Sequence, residues 1–224
     1  MATPRYRDGS PPLGLGGPTP QAVSLVVHAL VEVKPGTPVQ RTAPEAHAPE
    51  SDEMLMERFL GGDASAFDAL FARYAARLHA YLRRMVGSAT ADDLTQTTFL
   101  SVVRSRDRFQ RGARFRPWLY AIASNAARDH LRRARFEQPA DDGAPPEQAV
   151  ETPLPDPALK KAVHAALAQL PLQQREAILL HRFEGFSFSE IAETLGLSES
   201  AVKVRAHRGY VRLRLLLSHL GEGA

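Results

Sequence analysis

The sequence predicts an all-α protein of two small helical domains joined by a flexible linker, and three observations carry that prediction. Hydrophobic residues make up 44% of the chain but aromatic residues only 7%, and the apolar residues are mostly Ala, Leu and Val, which favours helices over strands. These residues recur at spacings of three and four over much of the chain. A Pro-rich, acidic segment without aromatic residues interrupts this pattern at residues 137–157, as expected of a linker.

The segment before the first domain differs in amino-acid composition from the rest of the chain. Residues 1–50 are rich in Pro and Gly and are predicted to be a disordered extension. The alternative is that translation starts further along the chain. The most apolar run, Ala22 to Val33, is short and follows no compact basic region, so we expect no signal peptide. No run is long enough to span a bilayer, and we therefore expect a cytoplasmic protein without membrane insertion.

Residues 51–136 are predicted to form the first domain, which opens with two helices. Gly61-Gly62 is expected to end the first helix, Asp63 to cap the second, and Gly87 to end it. The second helix carries an apolar stripe that is expected to lie in the core: Phe67, Leu70, Phe71, Tyr74, Leu78, Tyr81, Leu82 and Met85.

Two further helices complete this domain. The third is predicted from about Ala91 to Arg106 and has an acidic start at Asp92-Asp93. Acidic side chains stabilise the N-terminus of a helix, so stability alone could explain them. Its packing residues are expected to be Leu94, Phe99, Leu100, Val102 and Val103. A loop around Gly112 follows, and Pro117 is expected to open a long fourth helix.

Positive charge is concentrated in the second half of this domain. The window from Arg104 to Arg135 holds ten arginines and two aspartates, a net formal charge of +8, while the whole chain carries +3. A solvated basic face is one explanation of such a run. Here, however, the arginines are interleaved with Phe109, Phe115, Trp118 and Tyr120, a mixture that suits the phosphates and bases of a nucleic acid.

Residues 158–220 are predicted to form a second domain of four helices that contains a helix-turn-helix. With Phe188 as its first position, Ala192 falls where the two helices touch and Gly196 falls where the chain turns with positive φ. Val202 then packs the second helix on the first. Ser187 and Glu190 form a capping box at the start of the first helix.

The second helix of this unit has the character of a DNA-recognition helix. Ser198 can cap it, and it presents basic residues away from its packed side, at Lys203, Arg205, Arg208, Arg212 and Arg214. Such a helix enters the major groove with its N-terminal half and binds phosphates with the rest. The alternative is a plain helical hairpin with a solvated basic face.

The same residue types argue against an enzyme. The chain has no cysteine, which excludes disulfides, Cys zinc sites and Cys nucleophiles. Its eight histidines are scattered without metal-ligand spacing, and no Gly-rich phosphate loop precedes a helix. We therefore predict no catalytic residue, no cofactor and no metal site.

Two stretches resemble the same family. The stretch from Leu170 to Gly209, LPLQQREAILLHRFEGFSFSEIAETLGLSESAVKVRAHRG, resembles region 4 of sigma-70 factors, and the stretch from Ala91 to Arg133 resembles region 2. Their order and spacing, with no folded domain between them, are those of the extracytoplasmic-function group. The resemblance makes the first domain the region 2 helical bundle and the second the region 4 helix-turn-helix. It implies a sigma factor that binds core RNA polymerase and promoter DNA, as a duplex at the −35 element and melted at the −10 element, and that often has an anti-sigma factor as a partner.

The resemblance also assigns residues to each task. The surface for core polymerase is expected at Asp92, Asp93, Leu94, Gln96, Thr97 and Phe99. The −10 element is expected to meet the loop Gln110 to Arg116 and the following helix, at Phe109, Arg111, Arg116, Trp118, Asn125, Arg128, Arg132 and Arg133. The −35 element is expected to meet Ser200, Lys203, Arg205, Arg208 and Arg212. Trp118 either packs in the core or contacts a base.

One position departs from the family, and one other function stays open. Gly209 and Tyr210 stand where the family often has Ala-Arg; glycine is expected to weaken the helix by roughly 0.5–1 kcal/mol, and a positive charge is missing there. The alternative function is a stand-alone helix-turn-helix regulator that binds duplex DNA without polymerase. The Arg- and aromatic-rich loop before Trp118 argues against it, because a sensing or dimerising module has no need of that composition.

Overall fold

The computed structural model describes residues 50–137 and 157–218. Within these ranges the secondary structure is helical, with no strand, so the prediction of an all-α protein is confirmed. The predicted extension up to residue 49 and the predicted linker between 138 and 156 lie outside the described residues. None of the helices in the described ranges has the length and apolar character needed to cross a membrane.

Four helices build the first domain, and local capping sets several of their boundaries. They are α1 (Asp52–Leu60), α2 (Ala64–Val86), α3 (Ser88–Arg104) and α4 (Phe115–Glu137), with a 3-10 turn at Arg106–Arg108 before α4. The Asp63 carboxylate accepts the Ser65 backbone N–H at 3.0 Å at the start of α2, and Gly87 ends that helix with φ 99°. The predicted stops at Gly61 and Gly87 and the predicted cap at Asp63 are confirmed.

Helix α2 is the centre of this domain and packs against α1, α3 and α4. Its predicted stripe is buried, with Leu70, Leu78, Tyr81 and Leu82 fully inaccessible. The Tyr81 hydroxyl lies 2.8 Å from the Ser124 hydroxyl on α4, which satisfies both polar groups inside the core. Phe67 is only partly buried, and Phe71 departs furthest from the prediction, because 44% of it is exposed.

Two helix starts differ from the predictions. Helix α3 begins at Ser88, not at Ala91, so Asp92 and Asp93 lie beyond its first turn. Helix α4 begins at Phe115, two residues before Pro117. A proline is tolerated in that first turn because the first four backbone N–H groups of a helix have no partner within the helix.

The second domain contains the four predicted helices. They are α5 (Pro157–Ala168), α6 (Leu172–Ile178), α7 (Phe188–Leu195) and α8 (Glu199–Ser218), and a π-helical segment, Leu179–Phe183, extends α6. The predicted capping box is present: the Ser187 hydroxyl accepts the Glu190 N–H at 3.2 Å, and the Glu190 carboxylate accepts the Ser187 N–H at 2.8 Å. The π-helical segment was not predicted.

The two domains pack against each other. Helix α4 contacts α7, and α2 contacts α5, α6 and the π-helical segment. The rings of Tyr120 and Phe186 meet across this interface with centroids 5.1 Å apart. The Arg84 guanidinium lies 4.5 Å above the centre of the Phe183 ring, and Arg175 donates to the Met85 carbonyl at 2.8 Å.

Candidate nucleic-acid interface

Helices α7 and α8 form the predicted helix-turn-helix. Gly196 ends α7 in the left-handed conformation, with φ 64° and ψ 41°, as the turn requires of a residue without a Cβ. Ile191 and Val202 are fully buried where the two helices meet. The Ser198 hydroxyl accepts the Ala201 N–H at 3.2 Å and so caps the start of α8.

One side of α8 is basic and open to solvent. Ser200, Lys203, Arg208 and Arg212 are exposed, and Arg205 is half-buried. An open groove runs beside them and is lined by residues of both α6 and α8, among them Gln173, Gln174, Ser200, Arg205 and Arg208. The groove therefore brings together three of the five residues predicted for the −35 element, Ser200, Arg205 and Arg208. Arg212 follows Arg208 by about one turn, and Lys203 is exposed on the same helix but does not line the groove.

Gly209 lies on the opposite side of α8, against α6. A Cβ at this position would lie 2.6 Å from Ile178 Cδ1 and 3.2 Å from Gln174 Cβ, which is too close for an unchanged core. The prediction that Gly209 only weakens the helix is therefore incomplete, since the glycine permits the close approach of two helices. Tyr210 next to it is partly buried against the core, and burial raises the pKa of its hydroxyl to about 12.

Phe109 requires a correction. Its ring is 6% exposed and packs against Trp118 and Phe115, with centroids 5.0 Å and 6.5 Å away. A buried ring has no free face for a base, so in this structure Phe109 anchors the loop that follows it. Trp118 is half-buried and packed against the core. Of its two predicted roles, core packing and contact with a base, this position favours core packing.

The residues predicted for the −10 element divide into two groups. Arg111, Asn125, Arg132 and Arg133 are exposed. In contrast, Arg116 donates to the backbone carbonyl of Glu184, and Arg128 lies 2.7 Å from the Glu176 carboxylate. Both of these acceptors belong to the second domain, so part of the predicted −10 surface is covered by it.

The two residues of the second domain that accept from these arginines have buried carboxylates. Glu176 is fully buried and Glu184 is 4% exposed. Burial raises the pKa of each carboxyl, because desolvation disfavours the charged form. Hydrogen bonds act in the opposite direction, from Arg128 to Glu176 and from the Tyr120 hydroxyl to Glu184 at 2.5 Å.

The residues predicted for core polymerase also divide by exposure. Asp92, Asp93, Gln96 and Thr97 are exposed along one face of α3. Leu94 and Phe99 are only 7% and 4% exposed, so they support the helix and do not form its surface. Asp92 and Asp93 lie outside the first turn of α3. Stabilisation of the helix N-terminus therefore does not explain why two acidic residues stand here.

Sequence reasoning missed two apolar residues on this surface. Leu100 is 53% exposed and Phe71 is 44% exposed, whereas both were predicted to be core. The Phe71 ring lies 4.7 Å from that of Phe99 and so extends the same face. A signal existed for Leu100, because it follows Gln96 by four residues and shares its side of the helix.

Comparison with known protein families agrees with the two-domain organisation. Residues 70–137 match the family model of sigma-70 region 2, and residues 160–213 match that of sigma-70 region 4. The two matched segments lie in the two domains of the structure, on either side of the predicted linker.

Individual proteins are similar over most of the chain. RNA polymerase sigma factor CarQ of Myxococcus xanthus is 48% identical over 74% of this chain and 97% of its own length. The ECF RNA polymerase sigma factor SigM of Mycobacterium tuberculosis is 37% identical over 77% of this chain and 88% of its own length. The solved structure of CnrH with the cytosolic domain of CnrY has a TM-score of 0.60 at 29% identity, over 76% of this chain and 99% of that one. The solved structure of a sigma factor RpoE bound to the anti-sigma factor NepR from Bartonella quintana has a TM-score of 0.59 at 25% identity. The match covers 67% of this chain and 96% of that one.

Proposed function

Because this chain belongs to the extracytoplasmic-function group of sigma-70 factors, which are RNA polymerase sigma factors of transcription initiation, we propose that it directs core polymerase to a two-element promoter and helps to melt it. The observation that carries the proposal is the pairing of an exposed recognition helix, α8, with a separate Arg-rich helix, α4, in one chain. The proposal assigns no catalytic step to the chain, which would act in the cytoplasm beside the polymerase.

Helix α8 is proposed to read the −35 element as a duplex. Its first turns carry Ser200, Lys203 and Arg208 on the exposed side, where a recognition helix contacts base edges. Arg212 lies one turn further and is suited to a phosphate. Lys203 is held 2.6 Å from Glu199, an exposed pair that DNA phosphates can displace because such pairs stabilise a protein little.

The loop after Phe109 and helix α4 are proposed to hold the melted −10 strand. Arg111, Arg132 and Arg133 offer exposed guanidinium groups for phosphates. Asn125 is exposed nearby, and its amide can hydrogen-bond a base edge. Phe109 contributes by fixing the start of the loop and not by stacking on a base.

The exposed face of α3 is proposed to bind core polymerase. It combines the charges of Asp92 and Asp93 with the exposed apolar side chain of Leu100 and, from α2, that of Phe71. Apolar anchors with a polar surround are typical of protein interfaces. An anti-sigma factor is proposed as a second partner, because the similar RpoE structure contains one.

The proposal is tested by asking whether DNA recognition needs polymerase. Fragmented genomic DNA is incubated with this protein alone, with core polymerase alone, and with both, and the retained fragments are sequenced. A discrete set of fragments retained only with both proteins is expected. The same fragments retained by the protein alone would overturn the proposal and indicate a stand-alone regulator.

A further inference from the structure

Helix α8 carries an apolar side chain in the middle of the face proposed to read DNA. Val204 is 48% exposed and lines the open groove together with Ser200, Ala201, Arg205 and Arg208. It lies four residues after Ser200 and four before Arg208, so these three side chains share one side of the helix. Ala201, three residues before Val204, adds a second apolar group to the same groove. An apolar surface therefore lies between two polar residues of the groove.

Packing in the core does not account for Val204. The side of α8 that faces the core carries Val202, Ala206 and Leu213, which are at most 2% exposed. Among the described residues, Val204 is not one of those that pack against the core. A single exposed valine is ordinary on a protein surface, but this one lies between side chains proposed to contact DNA. The groove itself is therefore the place to look for its partner.

The surroundings of Val204 favour duplex DNA as that partner. Arg205 and Arg208 place positive charge beside the valine, which attracts the phosphates of a duplex. Val204 lies in the first two turns of α8, which begins at Glu199, and a recognition helix brings its N-terminal residues against base edges. The side chain of valine has no hydrogen-bonding group, so it is suited to an apolar part of a base edge and not to a phosphate.

The major groove offers such an apolar part at one kind of base. Among the groups that the four base pairs present there, the C5 methyl group of thymine is apolar. Cytosine has no methyl group at C5 and presents its N4 amino donor in the groove. Against valine that donor would lose its hydrogen bond to water without gaining another, which costs free energy.

We propose that Val204 is a specificity-determining residue, which contacts the C5 methyl group of a thymine in the −35 element, with Ala201 extending the apolar contact. The inference rests on the proposed role of α8 in reading that element. It adds a base preference to that role: thymine is favoured over cytosine at one position of the element, and the methyl group is what is recognised.

The test removes the methyl group from the DNA and the valine from the protein. A duplex with the sequence of one retained genomic fragment is prepared, and each thymine of its −35 element is replaced in turn by uracil, which pairs identically but lacks the methyl group. Binding is measured for the full chain with core polymerase and for the full chain alone. The protein variant is Val204→Ala. The matched control is Val211→Ala, a valine of the same helix that is 44% exposed and does not line this groove.

We expect uracil at one position to weaken binding of the parent by about fourfold, as for the loss of one buried methyl group. Val204→Ala should bind the thymine duplex more weakly and should lose little further with uracil at that position. Val211→Ala should keep the full fourfold loss. At the same position, 5-methylcytosine paired with guanine should bind the parent better than cytosine does.

Two results would overturn the inference. One is a uracil effect of equal size in the parent and in Val204→Ala, because the valine would then not be what contacts the methyl group. The other is a −35 element in which no thymine is present or none responds to the loss of its methyl group.

This inference and the proposed function fail in different ways. If retention of fragments depends on polymerase but no thymine responds through Val204, the role in transcription stands and the contact is wrong. If the protein alone retains the fragments and one thymine responds through Val204, the contact stands and the role as a sigma factor is wrong. Retention of no fragment under any condition would overturn both.

Discussion

At the scale of single residues, Gly209 controls how closely α8 approaches α6. Replacing it with alanine gains helix propensity, about 1 kcal/mol, but forces a methyl group against Ile178 and Gln174, at a cost of roughly 1–3 kcal/mol for overpacking. We expect Gly209→Ala to lower the free energy of unfolding by about 1 kcal/mol in urea titrations.

The matched control for this change is Ile178→Val, which removes the methyl group that the new Cβ would meet. Alone it should cost about 1 kcal/mol, and combined with Gly209→Ala it should cost less than the two changes added together. A Gly209→Ala protein as stable as the parent would contradict the packing argument.

His164 gives the second prediction at this scale. Burial, followed by the charges of Arg84 and Arg83, lowers the pKa of His164 to about 4. The ordinary pKa of histidine is about 6.5. Between about pH 6.5 and about pH 4, His164 therefore binds a proton in the unfolded chain but not in the folded chain. The free energy of unfolding falls as the pH is lowered through this window. Above the window the histidine is neutral in both states and its contribution is constant.

The replacement His164→Leu should remove this loss. Urea titrations at about pH 7 and about pH 5 compare the variant with the parent, and the variant should gain stability relative to the parent at the lower pH. Gln169→Leu, at an exposed position of the same domain, is the control and should show no pH-dependent gain, because glutamine does not titrate. A His164→Leu difference that is equal at both pH values would show that this histidine is not desolvated.

At the scale of elements, α3 is proposed to dock on polymerase through its exposed face. Asp93→Arg reverses a charge on that face without touching the core, because Asp93 is exposed. We expect the affinity for core polymerase to fall by about tenfold, as for a reversed charge at an interface. Glu57→Arg makes the same change on α1 and should bind normally; equal losses in both variants would remove α3 from the docking surface.

Helix α8 carries a separate prediction. Arg208→Ala should weaken retention of promoter fragments by roughly 1–3 kcal/mol if it contacts a base, while binding to core polymerase is unchanged. Arg214→Ala, near the C-terminal end of the same helix, is the comparison, because loss of a phosphate contact there should weaken retention of all fragments alike and not of promoter fragments selectively. Loss of polymerase binding in Arg208→Ala would contradict the division of tasks between the domains.

Elements with strong local signals were predictable from the sequence. The capping box of Ser187 and Glu190 and the left-handed Gly196 depend on neighbouring residues alone, and both are present as expected. The π-helical segment after α6 and the burial of Phe109 were not predicted, because they depend on what packs against them from elsewhere. Leu100 differs from these two, because its spacing of four residues from Gln96 was a local signal for the exposed side of the helix.

At the scale of the whole molecule, the docking of the two domains was beyond sequence reasoning. The acids that meet the basic helix, Glu176, Glu184 and Glu193, are spread over two helices and the segment between them. No periodic pattern marks them as a surface, and residues on opposite sides of a long linker give no distance information. Only the folded second domain brings Glu193 to Arg114, Glu176 to Arg128, and the backbone carbonyl of Glu184 to Arg116.

The most direct test of the proposed role in promoter recognition is transcription in vitro with purified core polymerase and a fragmented genomic template, with this protein added or omitted. We expect discrete new start sites that depend on the protein, each preceded by two shared sequence elements. Their sequences would identify the −35 and −10 elements at once. A transcript pattern that is the same with and without the protein would show that it does not act as a sigma factor.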